Sequence, residues 1–250
     1  MTNINIEDPA TFEQRLIEHE KSLIALMDHP AQIAMYVDSR VERDMRAGAC
    51  AKEPETVEWL ERELGARDDQ VLYDVGACSG SYSLIAAKLR AKVVAFEPSA
   101  INWRQLCRNA ALNRADIAAL PIALGPKTEM STLSLSSDLS GAAGHTLTGN
   151  DVLGTFGHSV MVWSLDDLLL KFPDLPRPTV MKVDTDGSEI AVLEGAQKTL
   201  SLVRSLMIEV RGATRESIRL ALQRQGFDEV SDHKRIAPDT WNVEYRRDPA

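Results

Sequence analysis

Residues 71–99 read VLYDVGACSGSYSLIAAKLRAKVVAFEPS, and their pattern decides the fold. Val71, Leu72, Tyr73 and Val75 surround Asp74 as a short apolar run. Gly76 and Gly80 punctuate a turn, a helical pattern follows, and Val93, Val94, Ala95 and Phe96 form a second run ending at Glu97. Short apolar runs bounded by glycine and separated by a helix predict parallel strands joined by a crossover. In such a unit the ligand lies at the carboxyl ends of the strands, where an acidic side chain accepts hydrogen bonds from ribose hydroxyls. Glu97 follows Asp74 by 97 − 74 = 23 residues, compatible with the ~20-residue interval of nucleotide-binding units.

The glycines narrow the ligand. Starting at Gly76, the G-x-G-x-x-G pattern meets Cys78 and Ser81 at its second and third places, so two of the glycines that admit a pyrophosphate are missing. This argues against a nicotinamide-dependent oxidoreductase. Gly76 and Gly80 suit a bulky ligand without a pyrophosphate, such as S-adenosylmethionine.

Three stretches, DVGACSGSYSLIAA, AFEPSAINWRQLCRNAALN and MKVDTDGSEIAVLEGA, occur in this order within residues 74–196. They resemble successive blocks of the FkbM-like branch of class I methyltransferases. The resemblance implies a Rossmann-like α/β fold, with a seven-stranded, mostly parallel sheet in the order 3-2-1-4-5-7-6 and helices on both faces. It also implies a cofactor core of Asp74, Gly76, Gly80 and Glu97, with Cys78 and Tyr82 beside it, and S-adenosylhomocysteine as product. The family prefers asparagine where Cys78 stands, and D-V-E-G where residues 184–187 read D-T-D-G.

Composition bounds the alternatives. A chain of 250 residues with 44% hydrophobic residues is large enough for one α/β domain and a small appendage. The net charge of −9 disfavours long nucleic acid as a partner. Cys50, Cys78 and Cys107 form no C-x-x-C, so neither a disulfide framework nor a zinc site is suggested, and a reducing cytoplasm fits best. No window approaches the ~20 apolar residues of a membrane span, and the first residues lack a signal-peptide core.

Along the chain, Asp8-Pro9 reads as a helix start, with Phe12, Leu16, Leu23 and Met27 near one face until His29-Pro30. A second helical pattern passes through Ile33, Tyr36, Val37 and Val41, and a third begins near Pro54 and stops at Gly65. Residues 1–65 are therefore expected to be a helical appendage, and residues 66–250 the main domain. Within the appendage, Lys52–Thr56 (KEPET) either packs on the sheet edge or closes the site near the methionine tail. Ile117–Leu124 reads as one strand, and Cys107 falls on the buried face of the helix before it. The Ser-, Thr- and Gly-rich residues 126–160 read as a β-rich insertion over the site rather than a disordered loop. Further elements are a strand at Thr179–Asp184, a helix at Ile190–Leu200, a strand at Ser205–Val210, and strands near Phe227–Ser231 and Trp241–Tyr245.

Methyl transfer from a sulfonium is a displacement in which positioning supplies much of the acceleration. Candidate catalytic groups are Asp184, Asp186 and Glu189 in V-D-T-D-G-S-E, where Ser188 reads as a helix cap, together with His145 in the insertion. His145 has a suitable unperturbed pKa, and His233 carries less weight. Lys182 and Asp184 share a strand face and can pair. Asp184, Asp186 and Glu209 could instead hold Mg2+, since hard cations take oxygen ligands, although a metal-free mechanism is preferred. The expected activity is O-methylation of a small molecule or a sugar or glycan hydroxyl. N-methylation and a catalytically silent cofactor-binding scaffold are the alternatives, and homo-oligomerisation stays open.

Overall fold

The computed structural model describes residues 23–65, 68–147, 157–235 and 237–247. It opens with an antiparallel hairpin of β1 (Leu23–Leu26) and β2 (Ala34–Val37). The helical reading of Leu23, Met27 and Ile33–Val37 is therefore corrected. Ile33, Met35 and Val37 are buried while Ala34 and Tyr36 between them are only half so, which is the period of two of a strand. The outer edge of β2 is satisfied from far along the chain. The Oδ1 atoms of Asn109 and Asn113 accept from Tyr36 N at 2.8 Å and Ala34 N at 3.0 Å. Asp8, Pro9, Phe12 and Leu16 lie outside the described residues.

A π-helical turn at Glu42–Arg46 leads into α1 (Ala49–Lys52) and α2 (Pro54–Gly65). The buried side of α2 carries Val57, Trp59, Leu60 and Leu64, and Trp59 Nε1 donates to Ser205 Oγ at 2.8 Å. The main sheet then begins with β3 (Val71–Val75), α3 (Ser81–Lys88), β4 (Lys92–Phe96), α4 (Ala100–Leu112) and β5 (Ile117–Leu120). The strand expected over Ile117–Leu124 ends at Leu120 because Pro121 cannot donate to the ladder. Ala123–Leu124 is β6, in a different sheet. Cys107 on α4 is half-buried rather than in the core.

β6, β7 (Glu129–Ser134), β8 (Thr146–Leu147) and β9 (Gly157–Trp163) form a second sheet in the order β6-β9-β7-β8. After it, α5 (Leu165–Lys171) starts at Ser164, whose Oγ accepts from Asp167 N at 3.2 Å. The main sheet resumes with β10 (Val180–Val183), α6 (Glu189–Glu194), β11 (Ser205–Arg211), α7 (Gly212–Arg224), β12 (Asp228–Lys234) and β13 (Thr240–Arg246). The helix expected over Ile190–Leu200 is shorter, and a 3-10 turn takes over at Thr199–Leu202.

The seven strands lie in the order β5-β4-β3-β10-β11-β13-β12. Counted along the chain, this is 3-2-1-4-5-7-6. β13 alone is antiparallel to its β11 neighbour among the inner strands, so the carboxyl ends of β3, β4, β10 and β11 open on the same edge. One face carries Tyr73, Val75, Met181, Val183 and Ile208 against α5–α7. The other carries Leu72, Val93, Ala95, Val180 and Met207 against α2, α3 and β2. By the two-residue period, Asp74, Lys182 and Glu209 share this second face. The segment before β3 therefore covers the charged part of the sheet. No helix among the described residues is long and apolar enough to cross a membrane.

If residues 23–65 fold as one cooperative unit with the sheet, Trp59→Ala lowers the unfolding free energy by about 3–5 kcal/mol. Urea denaturation followed by circular dichroism tests this, and an unchanged midpoint would separate α2 from the cooperative core.

Candidate active site

The carboxyl edge of the sheet opens into a cavity of about 380 Å³. Gly76, Cys78 and Glu97 line one end, Asp184, Asp186 and Glu209 the other, and His145, Ala142 and Leu147 of the insertion form part of the cover. The turn after β3 fixes the first end. Gly76 has φ +81°, and a Cβ there would lie 1.8 Å from the Asp184 carbonyl oxygen. Only glycine lets the β3 and β10 loops approach so closely. Gly80, also at positive φ, packs against Leu106 and does not line the cavity.

Glu97 is 5% exposed, and both of its carboxylate oxygens are held by backbone. Oε2 accepts from Cys78 N at 2.7 Å and Oε1 from Ser99 N at 2.8 Å. Each oxygen keeps a lone pair for a further donor. Burial raises the Glu97 pKa to about 7, outweighing those two N–H groups and the positive charge of Arg46. Cys78 takes φ +52°, a conformation that asparagine adopts more readily. Burial pushes its thiol up to about 12, so it is a neutral wall at physiological pH.

Asp74 does not line the cavity. It is wholly buried, and its Oδ2 accepts from Ser83 Oγ at 2.6 Å, while Oδ1 has no hydrogen-bond partner. Burial raises its pKa despite the charge of Lys182. Asp74 thus pins the start of α3 from beneath. Tyr82 also lies outside the lining, with its ring 4.9 Å from Lys182 Nζ and its hydroxyl pKa raised by burial.

At the other end, Lys182 Nζ lies 3.2 Å and Arg235 Nη1 3.5 Å from Asp184 Oδ2. Burial alone would raise the Asp184 pKa, but Lys182 and Arg235 outweigh it and hold the carboxyl well below its ordinary value. Arg235 also binds Glu209 through Nη1 and Glu53 through Nη2, the latter at 2.5 Å. Glu53, in turn, receives Lys52 Nζ at 2.6 Å and Asn242 Nδ2 at 3.2 Å. Within KEPET, Lys52 thus lines the cavity and Glu53 anchors the cation at its back. Sequence reading omitted Arg235, because it lies 51 residues from Asp184 along the chain in a loop with no motif.

The remaining candidates divide. Asp186 faces the cavity, and its Oδ2 accepts from Gly144 N at 2.7 Å, tying the insertion to the turn. Glu189 is buried and outside the lining. Its Oε1 accepts from Thr185 N, Thr185 Oγ1 and Gly187 N, each at 3.0 Å. Glu189 therefore closes the turn, and Ser188 makes no side-chain cap. His145 lines the cavity, and its Nδ1 accepts from Ser136 N at 3.2 Å. That bond leaves the proton of the neutral ring on Nε2, and burial lowers its pKa. His233 is exposed and outside the lining.

Asp184, Asp186 and Glu209 each bring an oxygen within 4.8 Å of the others. The set does not fit a resident Mg2+, because Arg235 already bridges Glu209 and Asp184, and Lys182 pairs with Asp184. A dication would have to displace one guanidinium and face another cation behind it.

The sheet order and a buried acid at the end of its second strand define a class I methyltransferase. The FkbM methyltransferase domain matches residues 74–229, more than half of the chain. The chain belongs to that family, a branch of the S-adenosylmethionine-dependent methyltransferases. It is similar to the hexuronic acid methyltransferase AglP of Haloferax volcanii, with 29% identity over 145 residues, covering 58% of this chain and 57% of AglP. It thus matches little more than half the length of that relative. The methyltransferase sdnD of Sordaria araneosa is 29% identical over 204 residues, covering 69% of this chain and 79% of sdnD. In fold, the chain resembles a SAM-dependent methyltransferase from Agrobacterium tumefaciens, with a TM-score of 0.51 at 10% identity, covering 91% and 70% of the two chains.

If Glu97 accepts the ribose hydroxyls, its ionised form binds best. Affinity for S-adenosylhomocysteine should then rise as pH increases through about 7, and Glu97→Gln should bind more weakly and lose that rise. Calorimetric titration at pH 6 and pH 8 checks both. Without ligand the sign reverses: between the ordinary value of 4.5 and about 7 the folded chain holds a proton that the unfolded chain has released. Glu97 therefore costs stability as pH rises across that window.

Proposed function

We propose that the chain is an O-methyltransferase that transfers the methyl group of S-adenosylmethionine to a hydroxyl of a small molecule or a sugar unit of a glycan. The observation that carries this reading is the presence of two differently held carboxylates, Glu97 and Asp184, in the lining of one cavity. Glu97 is buried and held by two N–H groups, with a lone pair left on each oxygen, whereas Asp184 is held ionised by two cations. The first suits a neutral diol, and the second suits positive charge and a hydroxyl proton. Phe96, Pro98, Ile122 and Leu124 supply an apolar wall beside Glu97 that fits an adenine ring. The name of AglP, a hexuronic acid methyltransferase, supports a sugar acceptor.

Bound S-adenosylmethionine supplies an electrophilic methyl group on a sulfonium. Asp184 accepts the acceptor hydroxyl and orients an oxygen lone pair at that carbon. Receipt of that methyl group would leave the acceptor oxygen oxonium-like, with its proton directed at Asp184. A proton on such an oxygen is far more acidic than a carboxylic acid, so even the depressed Asp184 carboxylate can take it. His145, with its proton on Nε2, donates to the acceptor rather than deprotonating it. Asp186 holds the insertion over the site through Gly144, and Glu189 fixes the turn. Effective molarity carries most of the acceleration, and no metal is required.

Asp184→Asn is expected to lower kcat about 100-fold or more, in the range of general acid–base effects. S-adenosylhomocysteine affinity should change less than about threefold, because the cofactor's ribose is held at Glu97. Equal losses in both would remove Asp184 from catalysis. Turnover of hexuronic acid and neutral sugar acceptors should be unchanged by chelator, and restoration by Mg2+ would return the acidic trio to metal binding.

A further inference from the structure

Four cationic side chains line the cavity: Arg46, Lys52, Arg211 and Arg235. Three have carboxylate partners. Lys52 pairs with Glu53, Arg235 with Glu53, Asp184 and Glu209, and Arg211 approaches Glu209 at 4.0 Å from a half-exposed position. Arg46 differs. Its Nε and Nη2 both donate to one oxygen, the Gly141 carbonyl, at 3.0 and 2.7 Å. No carboxylate of the described residues pairs with it. A guanidinium has five N–H donors, and among the described residues Nη1 has no hydrogen-bond acceptor.

The position of Arg46 is built as well as its charge. Its backbone carbonyl accepts from Ser81 Oγ at 2.8 Å, which fixes it at the start of α3, beside the glycine turn. The Gly141 carbonyl sets the plane of the guanidinium. Gly141 is itself held, its N–H donating to Asn102 Oδ1 at 2.8 Å. A preorganised guanidinium without an anion in a partly enclosed cavity calls for an anionic group on the ligand, which the planar fork binds with two parallel hydrogen bonds.

We infer that Arg46 binds the α-carboxylate of the methionine moiety of S-adenosylmethionine. The inference rests on the cofactor reading above and adds a residue and a ligand group to it. Arg46 and Cys78 line the same cavity as Glu97 and Asp184, so a ligand with its ribose at Glu97 and its methyl group toward Asp184 would meet in Arg46 the cation that lacks a carboxylate partner. Acidic residues at the far end leave the carboxylate no better cation, because Lys52 and Arg235 are already neutralised by Glu53, Asp184 and Glu209. The arrangement also joins cofactor binding to the insertion, since the guanidinium that holds the carboxylate holds Gly141.

The test crosses one side chain with one ligand group. Calorimetry measures binding of S-adenosylmethionine and of decarboxylated S-adenosylmethionine, which keeps the sulfonium and ammonium but lacks the carboxylate, to wild type, Arg46→Gln and Arg46→Lys. Wild type should prefer the carboxylated ligand by about tenfold to a hundredfold, the range of hydrogen bonds to charged groups. Arg46→Gln should abolish that preference while binding the decarboxylated ligand as wild type does, and Arg46→Lys should keep part of it. A preference that survives in Arg46→Gln would overturn the assignment. So would an equal loss for both ligands, which would make Arg46 a structural tie to Gly141. If wild type binds neither adenosyl ligand, the cofactor reading itself fails, a result distinct from the others.

Discussion

The Asp184 carbonyl oxygen occupies the space in which any side chain at position 76 would stand. That contact brings the ends of β3 and β10 together. With the loops this close, the Cys78 and Ser99 N–H groups converge on Glu97, and the cavity runs unbroken from Glu97 to Asp184. The alternation of the sheet does the rest. Residues one apart face opposite layers, so Asp74, Lys182 and Glu209 emerge on the face covered by the segment before β3 while Tyr73, Val75 and Met181 build the other core.

Charge at the acceptor end is organised as a network rather than as a pair. Glu53, from the segment before β3, accepts Arg235, which also reaches Asp184 and Glu209. Lys182 approaches Asp184 from the sheet. Such buried groups are costly unless each is matched, and here every carboxylate facing this end has a cation or a backbone N–H. Asp184 is consequently ionised at any physiological pH, whereas Glu97, with burial and two N–H donors but no adjacent ion pair, titrates near neutrality. The same side-chain chemistry therefore serves two tasks, set apart by the neighbours that the fold supplies.

The insertion is fastened to both halves of the site. Ser140 Oγ donates to Glu42 at 2.6 Å, Arg46 reaches the Gly141 carbonyl, Asn102 holds Gly141 and Ala142, and Asp186 holds Gly144. These ties run to the π-helical turn, to α4 and to the turn after β10. The cover over the cavity is thus a product of several distant segments, and among the described residues its own apolar cluster is the small one around Leu133 and Val160.

By itself, the sequence determined what depends on local order. The strand–glycine turn–helix–strand–acid pattern of 71–99 placed Gly76 and Glu97 at the carboxyl edge, the D-T-D-G turn placed Asp184 and Asp186 there, and three ordered blocks pointed to the sheet order and the family. It misread the segment 23–37, where Ile33, Met35 and Val37 alternate as in a strand while Ile33, Tyr36, Val37 and Val41 also fit a helical face; the arbiters were Asn109 and Asn113, more than 70 residues away. It also grouped Glu189 with the catalytic acids, because spacing places a residue at a turn but does not say which way its carboxylate folds back. Only the tertiary structure decided that Asp74 lies behind the cavity wall, that Arg235 stands between the acids proposed for a metal, and that Arg46 faces the cavity without an anion. Each of these depends on contacts between segments far apart in the chain, and such contacts leave no periodicity to read.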